Sequence, residues 1–103
     1  MANTKITTVT NQKFERFGQM DVELCDVVCS TDTTQYFTCH KIKNVKYAKA
    51  WFSSGNDTSY IVNIVCNSND GTAGTSMGSV HLTIVTAAAG TEKITFEVYG
   101  FGS

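Results

Sequence analysis

Apolar and polar residues alternate in two stretches towards the end of the chain. Val80, Leu82 and Ile84 are separated by His81 and Thr83; Ile94, Phe96 and Val98 are separated by Thr95 and Glu97. A repeat of two places each apolar set on one face of a β-strand. Between them lies Ala87-Ala88-Ala89-Gly90-Thr91-Glu92, where Gly90 is free to take a positive φ. The pattern therefore predicts a β-hairpin over residues 80–101, with one apolar face and one face of Thr, His, Lys and Glu. Six such side chains contribute on the order of 10 kcal/mol when buried, before entropy is charged. A lone hairpin has no second layer to bury them against, so the rest of the chain has to supply one.

The remaining stretches also read as strands. In residues 20–29, Met20, Val22 and Leu24 share one face, and Cys25, Val27 and Cys29 the other. Two explanations of this switch compete: burial on both sides, or a bulge that resets the register. Asp26 interrupts the first face and favours a strand end or a bulge. Residues 35–42 form a strand with Phe37 and Cys39 on one face and Tyr36, Thr38 and His40 on the other. Residues 45–53 fit a strand with Val45, Tyr47 and Trp51 on one face, or a helix with a stripe of Ile42, Val45, Ala48, Trp51 and Phe52. Shortness and aromatic content favour the strand. After the turn Ser54-Gly55-Asn56-Asp57, residues 59–66 are apolar on both faces, which predicts a central strand. Residues 67–78, rich in Gly, Ser, Asn and Thr, read as a flexible loop. Residues 1–13 are polar and Thr-rich, and 5–10 fit either a short edge strand or an N-terminal arm. About six strands separated by turn signals predict an all-β fold, a small antiparallel β-sandwich or jelly-roll-like domain spanning 1–103.

Composition narrows the function. The formal net charge of −1 gives no general attraction to nucleic acid or to an anionic membrane. No apolar run approaches a membrane span, and no apolar segment follows the N-terminus as in a secretion signal; a soluble protein made in a cytoplasm is the expectation. In that compartment the four cysteines, Cys25, Cys29, Cys39 and Cys66, are expected as free, mostly buried thiols. Cys25 and Cys29 lie about 13 Å apart on a regular strand and cannot bridge each other.

Candidate chemistry is sparse. The cysteines and His40 are ligand types for zinc, but their spacing lacks tight knuckles, and Cys39 and His40 point to opposite faces. The same geometry argues against a Cys39–His40 nucleophile pair. The run Asn67-Ser68-Asn69-Asp70-Gly71 lacks the closing Glu of a calcium loop and reads as an Asx-rich turn. Asn56-Asp57-Thr58 is a glycosylation sequon that reads as a plain turn. Asp21 and Glu23 share a face, but an exposed strand surface accounts for them better than general acid–base work. No cofactor and no metal is expected, and an enzyme is the least favoured class. Lys41, Lys43, Lys46 and Lys49 interleave with Tyr47 and Trp51, a composition that would suit single-stranded nucleic acid. Strand parity splits these lysines between faces, so a solvated strand surface is preferred, with an acidic protein partner as the alternative.

Three features taken together resemble small virion proteins of tailed bacteriophages, especially capsid decoration (cement) proteins. They are the start Met1-Ala2-Asn3-Thr4, the strand Val45-Lys46-Tyr47-Ala48-Lys49-Ala50-Trp51-Phe52 after a Cys/Val-rich strand, and the ending Ile94-Thr95-Phe96-Glu97-Val98-Tyr99-Gly100-Phe101-Gly102-Ser103. The resemblance implies a non-enzymatic β-domain on the capsid surface. Its partners would be the major capsid protein and copies of itself. Lys46, Lys49, Trp51, Tyr99 and Phe101 are the candidate partner-binding residues. A tail or head–tail connection protein is the nearest alternative. A carbohydrate-binding module using Trp51, Tyr47 and Tyr60 is the alternative from another class.

Overall fold

The computed structural model describes residues 3–29, 32–54, 60–85 and 92–102. Every regular element among them is a strand: β1 (Thr4–Lys5), β2 (Val9–Phe17), β3 (Met20–Val28), β4 (Thr34–Thr38), β5 (Asn44–Ser54), β6 (Ile61–Cys66), β7 (Ser79–Ile84) and β8 (Lys93–Phe101). They form two four-stranded sheets, sheet A in the order β1-β4-β7-β6 and sheet B in the order β2-β3-β8-β5. All pairings are antiparallel except β1 with β4. The protein is a small β-sandwich, the expected class with more strands than the pattern separated. The additional ones come from the N-terminal residues, which belong to the sandwich rather than to an arm: Ile6 is in the core, and its amide donates to the Tyr36 carbonyl at 2.8 Å.

The closing hairpin does not form. β7 pairs with β4 and β6 in sheet A, and β8 with β3 and β5 in sheet B. The six side chains are still buried: Val80, Leu82, Ile84, Ile94, Phe96 and Val98 are each at most 1% exposed. The two strands lie in opposite sheets, and each sheet is the other's second layer. Alternation fixes which side of a strand is apolar but not which strand lies beside it, so a hairpin and a crossover between sheets satisfy the same pattern. The Gly90 turn falls outside the described residues. Between the sheets the Phe37 ring of β4 stacks on Phe96 of β8, with centroids 5.0 Å apart. Cys25 and Val27 of β3, Cys29 just beyond it, and Ile42 and Val45 complete the core.

The face switch in β3 has its answer in burial on both sides. Glu23, Cys25, Val27 and Cys29 turn inward, while Val22 on the opposite face is itself only 7% exposed. The bulge lies on the neighbouring strand, between Thr10 and Lys13 of β2, where Asn11 has a φ of 53°. Asp26 holds it: its carboxylate accepts from Asn11 Nδ2 at 2.8 Å and from Thr95 Oγ1 at 2.7 Å. Those two hydrogen bonds favour the ionised form and lower the Asp26 pKa. β2 and β3 are joined through Gly18-Gln19, and the φ of 65° at Gly18 suits the first central position of a II′ turn.

Residues 67–78 are tied to the sheets rather than free. Asn67 Oδ1 accepts from the amides of Val45 at 2.9 Å and Gly78 at 3.1 Å, while its Nδ2 donates to the Val45 carbonyl at 3.0 Å. Ser68 is fully buried, and its Oγ accepts from the Gly71 amide at 2.8 Å. Asp70 forms the expected Asx turn, accepting from the Thr72 amide at 2.9 Å. Residues of this loop cover His81. It lies on the polar face of the alternation but is only 3% exposed, with Nε2 2.7 Å from Asn3 Oδ1. Burial lowers its pKa, and the Asp70 charge opposes that shift.

A candidate interaction surface on sheet B

The reading of 45–53 as a strand holds, but not its single register. β5 shifts against β8 between Val45 and Tyr47, which leaves Lys46 unpaired. Val45 points into the core; beyond the shift Ala48, Ala50 and Phe52 do so instead. Tyr47, Lys49 and Trp51 therefore face outward, and Tyr47 and Trp51 are each 45% exposed. The extra residue turns what would have been buried aromatic positions into surface ones.

On that outer face the strands set side chains in rows. Tyr47 lies opposite Tyr99, Lys49 opposite Glu97, and Trp51 opposite Thr95. The Tyr47 and Tyr99 rings stack, with centroids 4.6 Å apart and planes 21° from parallel. Tyr99 donates its hydroxyl to Glu97 Oε1 at 2.9 Å, and this bond to a carboxylate raises the phenol pKa. At the end of the face Lys46 Nζ stands 5.7 Å from the centroid of Phe101. Beside Tyr99 a groove of about 200 Å³ opens over Val22 and Leu24, with Phe17 at its rim. The structure thus brings Lys46, Lys49, Trp51, Tyr99 and Phe101 to one side of sheet B. Strand parity had separated Lys46 from Lys49, and the bulge is what reunites them. Lys41 is elsewhere, its Nζ 4.5 Å above the Phe14 ring. Tyr60 precedes β6 in the other sheet and does not join this surface.

Glu23 is the residue the sequence reading misplaced. It is not on an exposed face but fully buried at the end of the core. Its carboxylate accepts from the His40 amide at 2.8 and 3.1 Å and from the Lys41 amide at 3.0 Å. Gln12 Nε2 donates to it at 3.3 Å. These bonds fasten the segment between β4 and β5, so the role is structural.

The four thiols are unbonded; Cys25, Cys29 and Cys39 are buried and Cys66 half-buried. Among the described residues no group of three or more His, Cys, Asp or Glu is placed to hold a metal ion. Burial pushes the Cys25 thiol up to about 12, with the Glu23 and Asp26 charges adding to it. Burial raises Cys29, Cys39 and Cys66 as well. The thiolate is the reactive form, so at pH 8 the folded protein is expected to resist Ellman's reagent, Cys66 yielding first, and to release all four thiols on unfolding. Rapid native labelling of Cys25 would contradict this. The folded state therefore prefers the neutral thiol. Its Cys25 contribution is full below the ordinary value of 9.0 and is lost as pH rises towards about 12.

Compared with known proteins, the chain matches no family model, no curated protein and no solved structure.

Proposed function

We propose that this domain is a non-enzymatic binding protein of a virion, a capsid decoration protein that lays the outer face of sheet B on the major capsid protein. The observation that carries the reading is the gathering of Tyr47, Lys49, Trp51 and Tyr99, flanked by Lys46 and Phe101, on one strand-built face. Half-exposed aromatic side chains among charged ones are the make-up of interface anchors. Strands hold them in place, so little ordering entropy is lost on docking. The choice of a capsid as partner rests on the resemblance to small phage virion proteins. A domain of this kind repeated over a shell gains by avidity what one contact lacks. A tail or head–tail connection protein would use the same face at another place in the virion.

A carbohydrate-binding module is the rival from a different class. Tyr47 and Trp51 support it, since both are exposed on the same side of β5. Against it, one face of the Tyr47 ring is already covered by Tyr99, and Tyr60 is in the other sheet.

Cryo-electron microscopy of the particles that carry this protein decides between them. Density for the domain on the head, with sheet B against the shell, is the expected result; its absence from the shell overturns the decoration reading. The Trp51→Ala variant is expected to bind heads at least about tenfold more weakly, the effect of losing one anchor. Glycan-array binding that disappears in the same variant would establish the sugar module instead.

A further inference from the structure

We propose that two copies of this chain pair edge to edge through β2, antiparallel about a two-fold axis at Phe14, to make one continuous eight-stranded sheet. β2 ends sheet B, so among the described residues alternate N–H and C=O groups along its outer side have no neighbouring strand. From Lys13 to Phe17 its register with β3 runs without a break. The other edges are less suited. β1 has two residues, β6 carries a register shift between Ile61 and Asn63, and β5 carries two shifts. β5 also packs against β6 of the other sheet.

Edge strands that avoid association are short, bulged or studded with lysine. β2 has its bulge at one end, at Asn11, and leaves Phe14 37% and Phe17 68% exposed. Its charges are of both signs on one face, Lys13 and Glu15. They also select the register. Antiparallel pairing about a two-fold axis matches residues on the same face, so the axis passes through a residue rather than between two. An axis at Lys13, Glu15 or Arg16 sets that charge against its own copy. An axis at Phe14 sets Lys13 against Glu15 of the second copy, twice by symmetry, and Phe14 against Phe14. It is the one centre in β2 that opposes unlike charges. Whichever alternate residues turn their backbone groups outward, this register gives complete hydrogen-bonded pairs.

The pairing supplies the surface for the self-association that the virion reading includes, but it stands on the geometry of β2. Its test uses the isolated protein, so it can fail while head binding succeeds, or the reverse. Sedimentation velocity over a concentration series is expected to show a monomer–dimer equilibrium. Lys13→Glu sets glutamate against glutamate at both pairs and is expected to weaken the dimer on the order of tenfold. Adding Glu15→Lys reverses both charges and restores it. Far-UV circular dichroism checks that each variant is folded, and Glu15→Lys alone replaces Lys13→Glu if that variant is not. A protein that stays monomeric to about 1 mM overturns the proposal. So does a dimer indifferent to Lys13→Glu, or one that the double exchange fails to restore.

Discussion

Replacing Glu23 by alanine is expected to lower stability by about 4 kcal/mol, although the residue touches no ligand and sits on no surface. The carboxylate is fully buried and accepts from the His40 and Lys41 amides at 2.8–3.1 Å and from Gln12 Nε2. Alanine leaves both backbone amides without an acceptor, at about 1–3 kcal/mol each, and leaves a void where the side chain was. Glutamine is nearly the same size and keeps one acceptor oxygen, but its NH₂ group would face amide donors. Its cost is about half as large. Urea unfolding reads both: with a slope of about 1–3 kcal/mol per molar, alanine moves the midpoint down by roughly 2 M and glutamine by roughly 1 M. Equal midpoints for the three proteins would mean that the segment between β4 and β5 holds without this carboxylate.

Glu23 also shows where sequence reading works and where it stops. Its parity matches Cys25 and Val27 of β3 and Cys29 just beyond it, all core residues. The pattern therefore contained the signal: a carboxylate in step with an inward-facing row. It was masked by Asp21, which has the same parity but lies beyond the core, beside Arg16 at 3.9 Å. Alternation identified β3, β4, β7 and β8 because each buries at least one face. β6 was legible as a strand but not as a central one: it ends sheet A, and Val62 is 57% exposed. Alternation did not reveal β2, since an edge strand exposed on both faces has no apolar period to detect. It placed the six residues of β7 and β8 in the core but could not choose their neighbours, because pairing is decided by the whole sandwich. The candidate surface was legible as composition only. Tyr47, Lys49 and Trp51 were chosen for aromatic and basic character, and Val45 was grouped with them. The shift at Lys46 separates Val45 from the rest, and nothing local in the sequence marks that bulge.

Gly100→Ala is expected to be at least as damaging, near 4 kcal/mol or more, for a reason unrelated to backbone freedom. Gly100 lies in β8 between Asp21 of β3 and Val45 of β5. A Cβ there would clash with the Asn44 carbonyl oxygen and meet Ile42 Cγ2 at 2.8 Å. The oxygen belongs to backbone and cannot swing aside, so the start of β5 would have to move away from β8. That movement strains the Lys43 amide bond to the Phe101 carbonyl, 2.8 Å, and the grip of Asn67 on Val45. Overpacking that displaces backbone belongs with the most damaging single changes. For a domain of this size, 4 kcal/mol corresponds to a fall in Tm of roughly 15–30 °C. Gly102→Ala is the control two residues away. Its Cβ would meet Asp21 Oδ2 at 3.0 Å, the tip of a side chain that can rotate, and the expected change is under about 1 kcal/mol. Calorimetry of the two variants separates steric closeness between β5 and β8 from a general sensitivity of the C-terminal strand. Equal losses would remove the close approach at Gly100 as the cause. The position also governs the candidate surface: displacing β5 carries Lys46 away from Phe101 and Tyr47 away from Tyr99. A folded Gly100→Ala protein is thus expected to lose partner binding together with stability, whereas Trp51→Ala loses binding alone.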